Sequence, residues 1–230
     1  GIFWTMKYEN DKDKPLLSDW GLETKKLPVK VFVPYGYFEE YKNKGIPVDE
    51  PFALNVSDMK AEDWVLMFGL DIINPVSVLI ERVIFRLNNS LRDYDLSDVA
   101  EEIINDKDAT KENKNAAVGL FEAVTTWGIF ASKESKETKI KDLVISGITS
   151  VLDLSVYNSV GAFNVRAMVI GLVCRKLFNE RMMARKQEEV DSIRYGNYLT
   201  YSSSRENPLV WIFIDEAHEF LPRQGITPAS

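Results

Sequence analysis

Two adjacent carboxylates, Asp215 and Glu216, follow an apolar run near the end of the 230-residue sequence. The run covers residues 210–214 and is preceded by Pro208. Five successive apolar residues are typical of a strand that is buried on both faces of a parallel sheet. Because ligands bind beyond the carboxyl ends of strands in open α/β sheets, we expect both carboxylates at a ligand-binding edge.

A pair of carboxylates at such an edge suits phosphoryl transfer. One carboxylate holds Mg²⁺ through water, and the other orients and polarises the attacking water. We assign Asp215 to the Mg²⁺ of bound Mg-ATP, and Glu216 to the water as the catalytic residue. The alternative is purely structural, because two acids also suit a solvated strand end or the first turn of a helix.

His218 is the only histidine in the chain and lies three residues beyond Asp215. An imidazole there is a candidate for sensing the nucleotide state, for coupling it to DNA, or for acid–base catalysis. A structural role for this side chain is the alternative.

Residues 208–230, which contain Ile-Asp-Glu-Ala-His-Glu, resemble the Walker B region of the HerA-like ATPases, within the HerA/FtsK group of P-loop DNA translocases. Residues 1–6 resemble the segment after that family's second core strand. Residues 150–155 and the helix after them resemble the elements that precede Walker B. The resemblance implies a partial RecA-like P-loop NTPase core with a mostly parallel sheet, and ATP and Mg²⁺ as cofactors. It further implies a homo-hexamer that acts on DNA, in archaea typically together with a partner nuclease.

The phosphate-binding loop of that family is missing from the sequence. The chain contains no Gly-Lys pair, so the Walker A loop, its lysine and its hydroxyl are absent. The sequence also begins at Gly1 without a methionine and stops at Ser230, where the family continues into a helix. We therefore expect a segment of a longer polypeptide that is inactive in ATP hydrolysis by itself.

The period of the apolar residues divides the chain into three parts. Residues 1–59 form part of the α/β core, residues 60–139 form an inserted all-helical subdomain, and residues 140–230 return to the core with the Walker B strand. We predict strands at residues 29–33, 52–56, 148–156 and 210–214. We predict helices that begin near Ala61, at Asn74-Pro75 and after a cap at Ser97, and others at residues 115–130 and 163–190. Ser57 or Asp58 is the expected cap of the first of these helices. The expected buried stripes are Val76, Leu79, Ile80, Val83, Ile84 and Leu87 in the second helix, Ala116, Leu120, Val124 and Trp127 in the fourth, and Phe163, Ala167, Ile170, Cys174, Leu177 and Phe178 in the last.

Asp153 lies near the end of the strand predicted at residues 148–156. Its carboxylate could contact the ligand-binding edge or cap the following turn.

The charge balance bears on contact with DNA. A net charge of −7 and a pI near 5.0 argue against a protein that coats nucleic acid, but they allow a ring with a basic channel. Arg194 and Arg205 before the apolar run, and Arg223 after it, are candidate DNA or inter-subunit contacts. The long helix carries a basic cluster that suits either DNA phosphates or a solvated face balanced by glutamates: Arg175, Lys176, Arg181, Arg185 and Lys186.

The single cysteine, Cys174, has no partner for a disulfide or a metal site, which favours a reducing, cytoplasmic location. The longest apolar stretch, residues 168–174, is far shorter than the roughly 20 residues of a membrane span. We therefore expect no membrane anchor and no export signal.

Three functions are compatible with these features. The first is part of the motor domain of an ATP-driven DNA translocase or helicase in DNA processing or repair. The second is a pump for DNA packaging or conjugation. The third is a non-catalytic scaffold that binds a partner and lacks a P-loop.

Overall fold

The computed structural model describes residues 3–90, 93–132, 137–157, 165–195 and 209–219. Within these ranges, three strands form one parallel sheet in the order β2-β1-β3. The strands are β1 (Val29–Pro34), β2 (Glu50–Phe52) and β3 (Thr149–Leu152). The α-helices are α1 (Lys14–Asp19), α2 (Phe38–Asn43), α3 (Ala61–Met67), α4 (Pro75–Asn89), α5 (Leu96–Asn105), α6 (Lys111–Thr125), α7 (Ile140–Leu143) and α8 (Val165–Tyr195). Short 3₁₀ helices lie at Phe3–Lys7, Asp11–Asp13, Tyr35–Tyr37, Val56–Asp58, Ser155–Tyr157 and Ala217–Glu219.

The strands partly confirm the predicted boundaries. The strand predicted at residues 29–33 is confirmed as β1. The strand predicted at residues 148–156 is shorter, Thr149–Leu152, because Asp153 turns the chain into a 3₁₀ helix. The second strand was predicted at residues 52–56 but ends at Phe52. It includes Pro51, which an edge strand tolerates because the missing N–H can face away from the ladder. Beyond it, Asn55 accepts a hydrogen bond from the Ser57 amide at 3.0 Å and turns the chain into a 3₁₀ helix.

Helix α4 follows the sequence pattern most closely. The Asn74 side chain accepts a hydrogen bond from the Val76 amide at 2.9 Å, and Pro75 occupies the first turn as expected. The predicted apolar stripe is buried at five of its six positions: Leu79, Ile80, Val83, Ile84 and Leu87.

The capping residues of α3 and α5 differ from those that the sequence predicts. Helix α3 begins at Ala61 as predicted, but the expected cap at Ser57 or Asp58 is wrong. Instead, the Asp63 carboxylate accepts a hydrogen bond from the Lys60 amide at 2.8 Å. The expected cap at Ser97 is also wrong, because Asp95 accepts from the Ser97 and Asp98 amides and so starts α5 two residues earlier.

Helix α6 runs four to five residues ahead of the predicted range, because Thr110 caps it. Its buried face contains Ala117, Phe121 and Val124. Of the predicted stripe, Val124 and Trp127 are buried, whereas Ala116 and Leu120 are not. Positions 116 and 117 are both apolar, as are positions 120 and 121, so the sequence does not indicate which member of each pair is buried. The packing chooses Phe121, whose ring lies 5.0 Å from that of Trp64.

One hydrophobic core joins the helices to the sheet. Trp64 is fully buried, and its ring also packs against Phe68 at 5.9 Å and Phe130 at 5.3 Å. The same cluster of buried residues contains Phe32 of β1 and Phe52 of β2. Full burial of such aromatic side chains contributes about 2–3 kcal/mol each, so this cluster contributes strongly to stability.

A buried carboxylate, Asp106, ties α4 to the end of α5. Its side chain has no solvent exposure and accepts hydrogen bonds from the Ala109 amide at 2.9 Å and the Arg86 guanidinium at 2.8 Å. Arg82 donates to it at 3.1 Å. Burial by itself opposes ionisation of Asp106, but the backbone amides and the two arginines outweigh it and lower its pKa.

Residues 128–131 contact the carboxyl ends of β1 and β2. The Gly36 amide donates to the Gly128 carbonyl at 2.7 Å, and a Cβ on Gly36 would lie 2.7 Å from the Gly128 Cα. Glycine is favoured at Gly36 because there is no room for a Cβ, and at Gly128 because its φ is 60°. On the β3 side, the buried Tyr157 hydroxyl donates to the Trp127 carbonyl at 2.6 Å. The chain after α6 is therefore held against the edge where α/β proteins bind ligands.

The strand predicted at residues 210–214 is wrong in this structure. No strand is formed there, and every side chain from Leu209 to Ile214 is exposed, with Phe213 at 81%. The apolar sequence signals a preference for burial, but a parallel strand also needs a neighbour for its backbone groups. Among the described residues, nothing pairs with this run.

Across the described part of the chain, no helix combines the length and hydropathy needed to cross a membrane.

Candidate functional site

The two candidate carboxylates lie in a tight turn rather than at the end of a paired strand. Asp215 and Glu216 form the turn that leads into the 3₁₀ helix Ala217–Glu219. The Glu219 amide donates to the Glu216 carbonyl at 2.9 Å and closes this turn.

Glu216 has a φ of 51°, which makes it the only non-glycine residue with positive φ among the described residues. The left-handed conformation costs an ordinary side chain about 1 kcal/mol, and residues held there cluster at functional sites. This strained position coincides with the residue that the sequence predicts as the catalytic carboxylate. No sequence signal indicates the positive φ, because glutamate is not a residue that favours it.

His218 lies next to Glu216. Its Nδ1 atom is 3.2 Å from Glu216 Oε2, and both side chains are more than half exposed. Solvent screens such a pair, so it contributes little to stability.

An ion pair anchors this turn to the rest of the molecule. The Arg166 guanidinium lies 2.8 Å from a Glu219 carboxylate oxygen. Arg166 belongs to the first turn of α8, beside the fully buried Val165. Nothing in the sequence predicts this contact, because the two charges are 53 positions apart.

Asp153 follows β3 at the carboxyl edge of the sheet and is only 6% exposed. Its Oδ1 atom accepts a hydrogen bond from the Ser155 amide at 3.0 Å, and its own amide donates to the Phe32 carbonyl at 2.8 Å. The sequence allowed either a contact with the site or a turn cap. The structure shows the turn cap.

The basic cluster on α8 is largely neutralised by carboxylates. Arg175 makes a bidentate contact with Asp63 at 2.9 and 2.6 Å, and Lys176 pairs with Asp58. Hydrogen bonding to Asp63 raises the pKa of Arg175 further. These two cations therefore attach α8 to α3 and its preceding turn.

Farther along α8, Arg181 lies 3.3 Å from Glu188 and Arg185 lies 3.1 Å from Glu189. This half of the helix is the solvated, charge-balanced face that the sequence allowed. The predicted buried face of α8 is correct at Ala167, but Phe178 is exposed. Phe163, also part of that prediction, lies outside the described residues. Burial raises the pKa of the Cys174 thiol in this helix, which keeps it in its less reactive form.

The remaining site predictions fall mostly beyond what the structure describes. Arg194 lies within α8, but its side chain is not among those described. Arg205 and Arg223 lie outside the described residues.

The residues of this turn could provide the Mg²⁺ ligand of a Mg-ATP site but not its phosphate-binding groups. Mg²⁺ keeps several of its waters and commonly binds one or two protein carboxylates together with the phosphates, so Asp215 meets the protein requirement. No group of three or more metal-ligating side chains lies within the described residues. The phosphates would need a cradle of backbone amides and a lysine, and the sequence contains no such loop.

Comparison of the chain with protein-family models, curated proteins and solved structures finds no match. Its function is therefore inferred from its own residues.

Proposed function

We propose that this chain is part of the motor domain of an ATP-driven DNA translocase or helicase of the HerA type, with a RecA-like core. The observation that carries the proposal is the turn at Glu216. Glu216 has a backbone at positive φ and follows an apolar run and a second carboxylate, and its side chain lies 3.2 Å from the only histidine of the chain. The parallel α/β sheet is compatible with the proposal, since P-loop ATPases are built on such sheets.

Each residue of the turn has a separate role in this proposal. Asp215 would hold Mg²⁺ through water, and the ion would supply positive charge to the phosphates. Glu216 accepts a hydrogen bond from the attacking water and takes up its proton. His218, 3.2 Å from Glu216, orients that carboxylate and links its position to the nucleotide state.

The chain supplies the metal- and water-handling half of the nucleotide site. The phosphate-binding loop then comes from elsewhere in a longer polypeptide, and the assembly is a homo-hexamer that acts on DNA, with a partner nuclease in DNA processing. Arg194, Arg205 and Arg223 are the proposed DNA or inter-subunit contacts.

A second candidate function is a non-catalytic module that binds a partner protein. The specific observation in its favour is the exposure of six consecutive apolar side chains, residues 209–214. Exposed apolar surface of this kind marks interaction sites.

ATP hydrolysis by the full-length protein, with and without duplex DNA, distinguishes these functions. We expect DNA to stimulate turnover and Glu216→Gln to lower it by at least about 100-fold while ATP still binds, because the variant cannot accept the proton. Asp215→Asn should weaken the Mg²⁺-dependent part of ATP binding. A matched control is Glu189→Gln, an exposed glutamate on α8, which should leave turnover within about threefold.

Turnover that survives Glu216→Gln would remove this residue from the mechanism. Absence of any nucleotide binding by the full-length protein would favour the partner-binding module.

A further inference from the structure

The second half of α8 extends beyond the hydrophobic core as a helical arm, which we define as residues 178–195. None of the described side chains of the arm is buried. Its ion pairs, Arg181–Glu188 and Arg185–Glu189, lie within the helix and are solvated, so they stabilise it only weakly. Because a helix of this length is marginal in water without tertiary packing, the arm lacks the contacts that normally stabilise a helix.

One side of the arm carries exposed apolar side chains. They are Phe178, Met182, Met183, Val190 and Ile193, with Met183 at 69% and Ile193 at 82% exposure. At 100° per residue, all five fall within a sector of about 140° around the helix axis. An amphipathic helix with such an exposed apolar side is typical of an interaction surface.

The charges in this sector indicate which partner fits it. Met182, Lys186, Glu189 and Ile193 follow one another at spacings of four, three and four residues, as the inward-facing positions of a coiled coil do. In a parallel pair of identical helices, Lys186 would face its own copy, and so would Glu189. In an antiparallel pair, Lys186 faces Glu189 of the second copy when Met182 faces Ile193.

The antiparallel pair therefore brings opposite charges and apolar side chains together in one register. Lys186 is exposed and forms no ion pair with any residue that the structure describes, so its charge is available for this contact. The same surface serves both partners, as a two-fold contact between identical chains requires.

We propose that the arms of two copies of this chain pair as an antiparallel coiled coil. Two contacts between Lys186 and Glu189 join the chains, and a layer of Met182 and Ile193 lies on either side. A ring uses head-to-tail contacts, so this two-fold contact is additional to the hexamer of the proposed function. Met182 lies 16 positions beyond Arg166, about 24 Å along α8, so the arm is remote from the turn at Glu216 and the inference does not depend on ATP hydrolysis.

Sedimentation velocity of the 230-residue chain tests the pairing. We expect a monomer–dimer equilibrium with a Kd of roughly 10–100 µM, because two short arms form a small interface. Lys186→Glu sets like charges against each other and should raise the Kd at least about tenfold. Combining it with Glu189→Lys reverses both charges and should restore the Kd to within about threefold of the unmodified chain.

The matched control is Arg181→Glu, which changes the net charge by the same amount outside the apolar sector and should leave the Kd within about threefold. A chain that stays monomeric at about 200 µM would overturn the proposal. Equal losses in Lys186→Glu and Arg181→Glu, or failure of Glu189→Lys to restore pairing, would also overturn it.

Disulfide formation tests the direction of the two arms. In a Cys174→Ala background, Met182→Cys mixed with Ile193→Cys should give a disulfide-linked heterodimer, identified by its mass. Each variant alone should cross-link at least about tenfold more slowly, because two copies of residue 182 would lie about 16 Å apart along the paired helices. Faster cross-linking within either single variant than in the mixture would show a parallel pair and overturn the proposal.

Discussion

The helical core and the segment 209–219 are both rich in apolar and aromatic residues, yet they differ sharply in packing. Phe121 in the core is 1% exposed, whereas Phe213 in the segment is 81% exposed. Many contacts from several helices hold the core residue. The segment contacts α8 through the Arg166–Glu219 ion pair. The residues with candidate chemistry thus lie in an exposed part of the molecule, so stability and function should respond to different substitutions.

The largest expected effect on the free energy of unfolding comes from a substitution in the hydrophobic core. Trp64→Ala removes a fully buried indole and should lower the free energy of unfolding by about 3–5 kcal/mol, because the surrounding aromatic rings cannot close the cavity. Urea denaturation followed by far-UV circular dichroism measures this loss. The matched control is Trp20→Ala, an indole that is 83% exposed, for which we expect less than about 1 kcal/mol. Equal losses in the two variants would contradict the assignment of Trp64 to the core.

A smaller effect is expected from the buried charge network. Asp106→Asn leaves Arg82 and Arg86 without their shared carboxylate and should lower the free energy of unfolding by about 3 kcal/mol. Asp108→Asn changes an exposed partner of the same Arg82 and should cost less than about 1 kcal/mol. The same denaturation experiment compares the two variants, and a larger loss for Asp108→Asn would reverse their assigned roles.

The Asp106 network also predicts a dependence on pH. The pKa of Asp106 is lower in the folded protein than its ordinary value, so the unfolded chain binds the proton first as the pH falls. The stability that Asp106 contributes is therefore present above about pH 4, the ordinary aspartate pKa, and is lost as the pH drops through the folded pKa. The difference in unfolding free energy between the unmodified protein and Asp106→Asn should shrink between pH 7 and pH 3. A difference that is constant with pH would show that Asp106 acts by shape rather than by charge.

The smallest effect on global stability is expected at the site. Glu216→Val places a β-branched residue at positive φ and should speed exchange of the Glu219 amide by about tenfold, because the turn opens. Glu216→Gly suits the same φ and should leave that rate within about threefold. Neither variant should change the free energy of global unfolding by more than about 0.5 kcal/mol. A large global loss in either one would show that the turn belongs to the cooperative core.

The elements that could be predicted are those with strong local signals. The Asn74-Pro75 start and the apolar stripe of α4 are confirmed, as is β1, because capping, proline geometry and apolar period all act within a few residues. The starts of α5 and α6 were misplaced, because several polar residues compete for each cap and backbone geometry selects among them.

The candidate site was also predictable only in part. The sequence alone indicated a candidate site at Asp215, Glu216 and His218, from their types and order. The positive φ of Glu216 and the contact between Arg166 and Glu219 were not, because the first is a backbone state without a glutamate preference and the second joins distant positions.

By itself, the sequence determined which segments prefer burial, where the clearest helix begins, and which residues can do chemistry, because side-chain polarity and local capping are properties of short stretches of chain. Only the tertiary structure decided which of two adjacent apolar positions in α6 faces Trp64, that Arg175 and Lys176 pair with carboxylates, and that residues 209–214 lie off the sheet. These outcomes depend on partners distant in sequence. An apolar run specifies a tendency to be buried, but the neighbouring surface that buries it is a property of the whole fold.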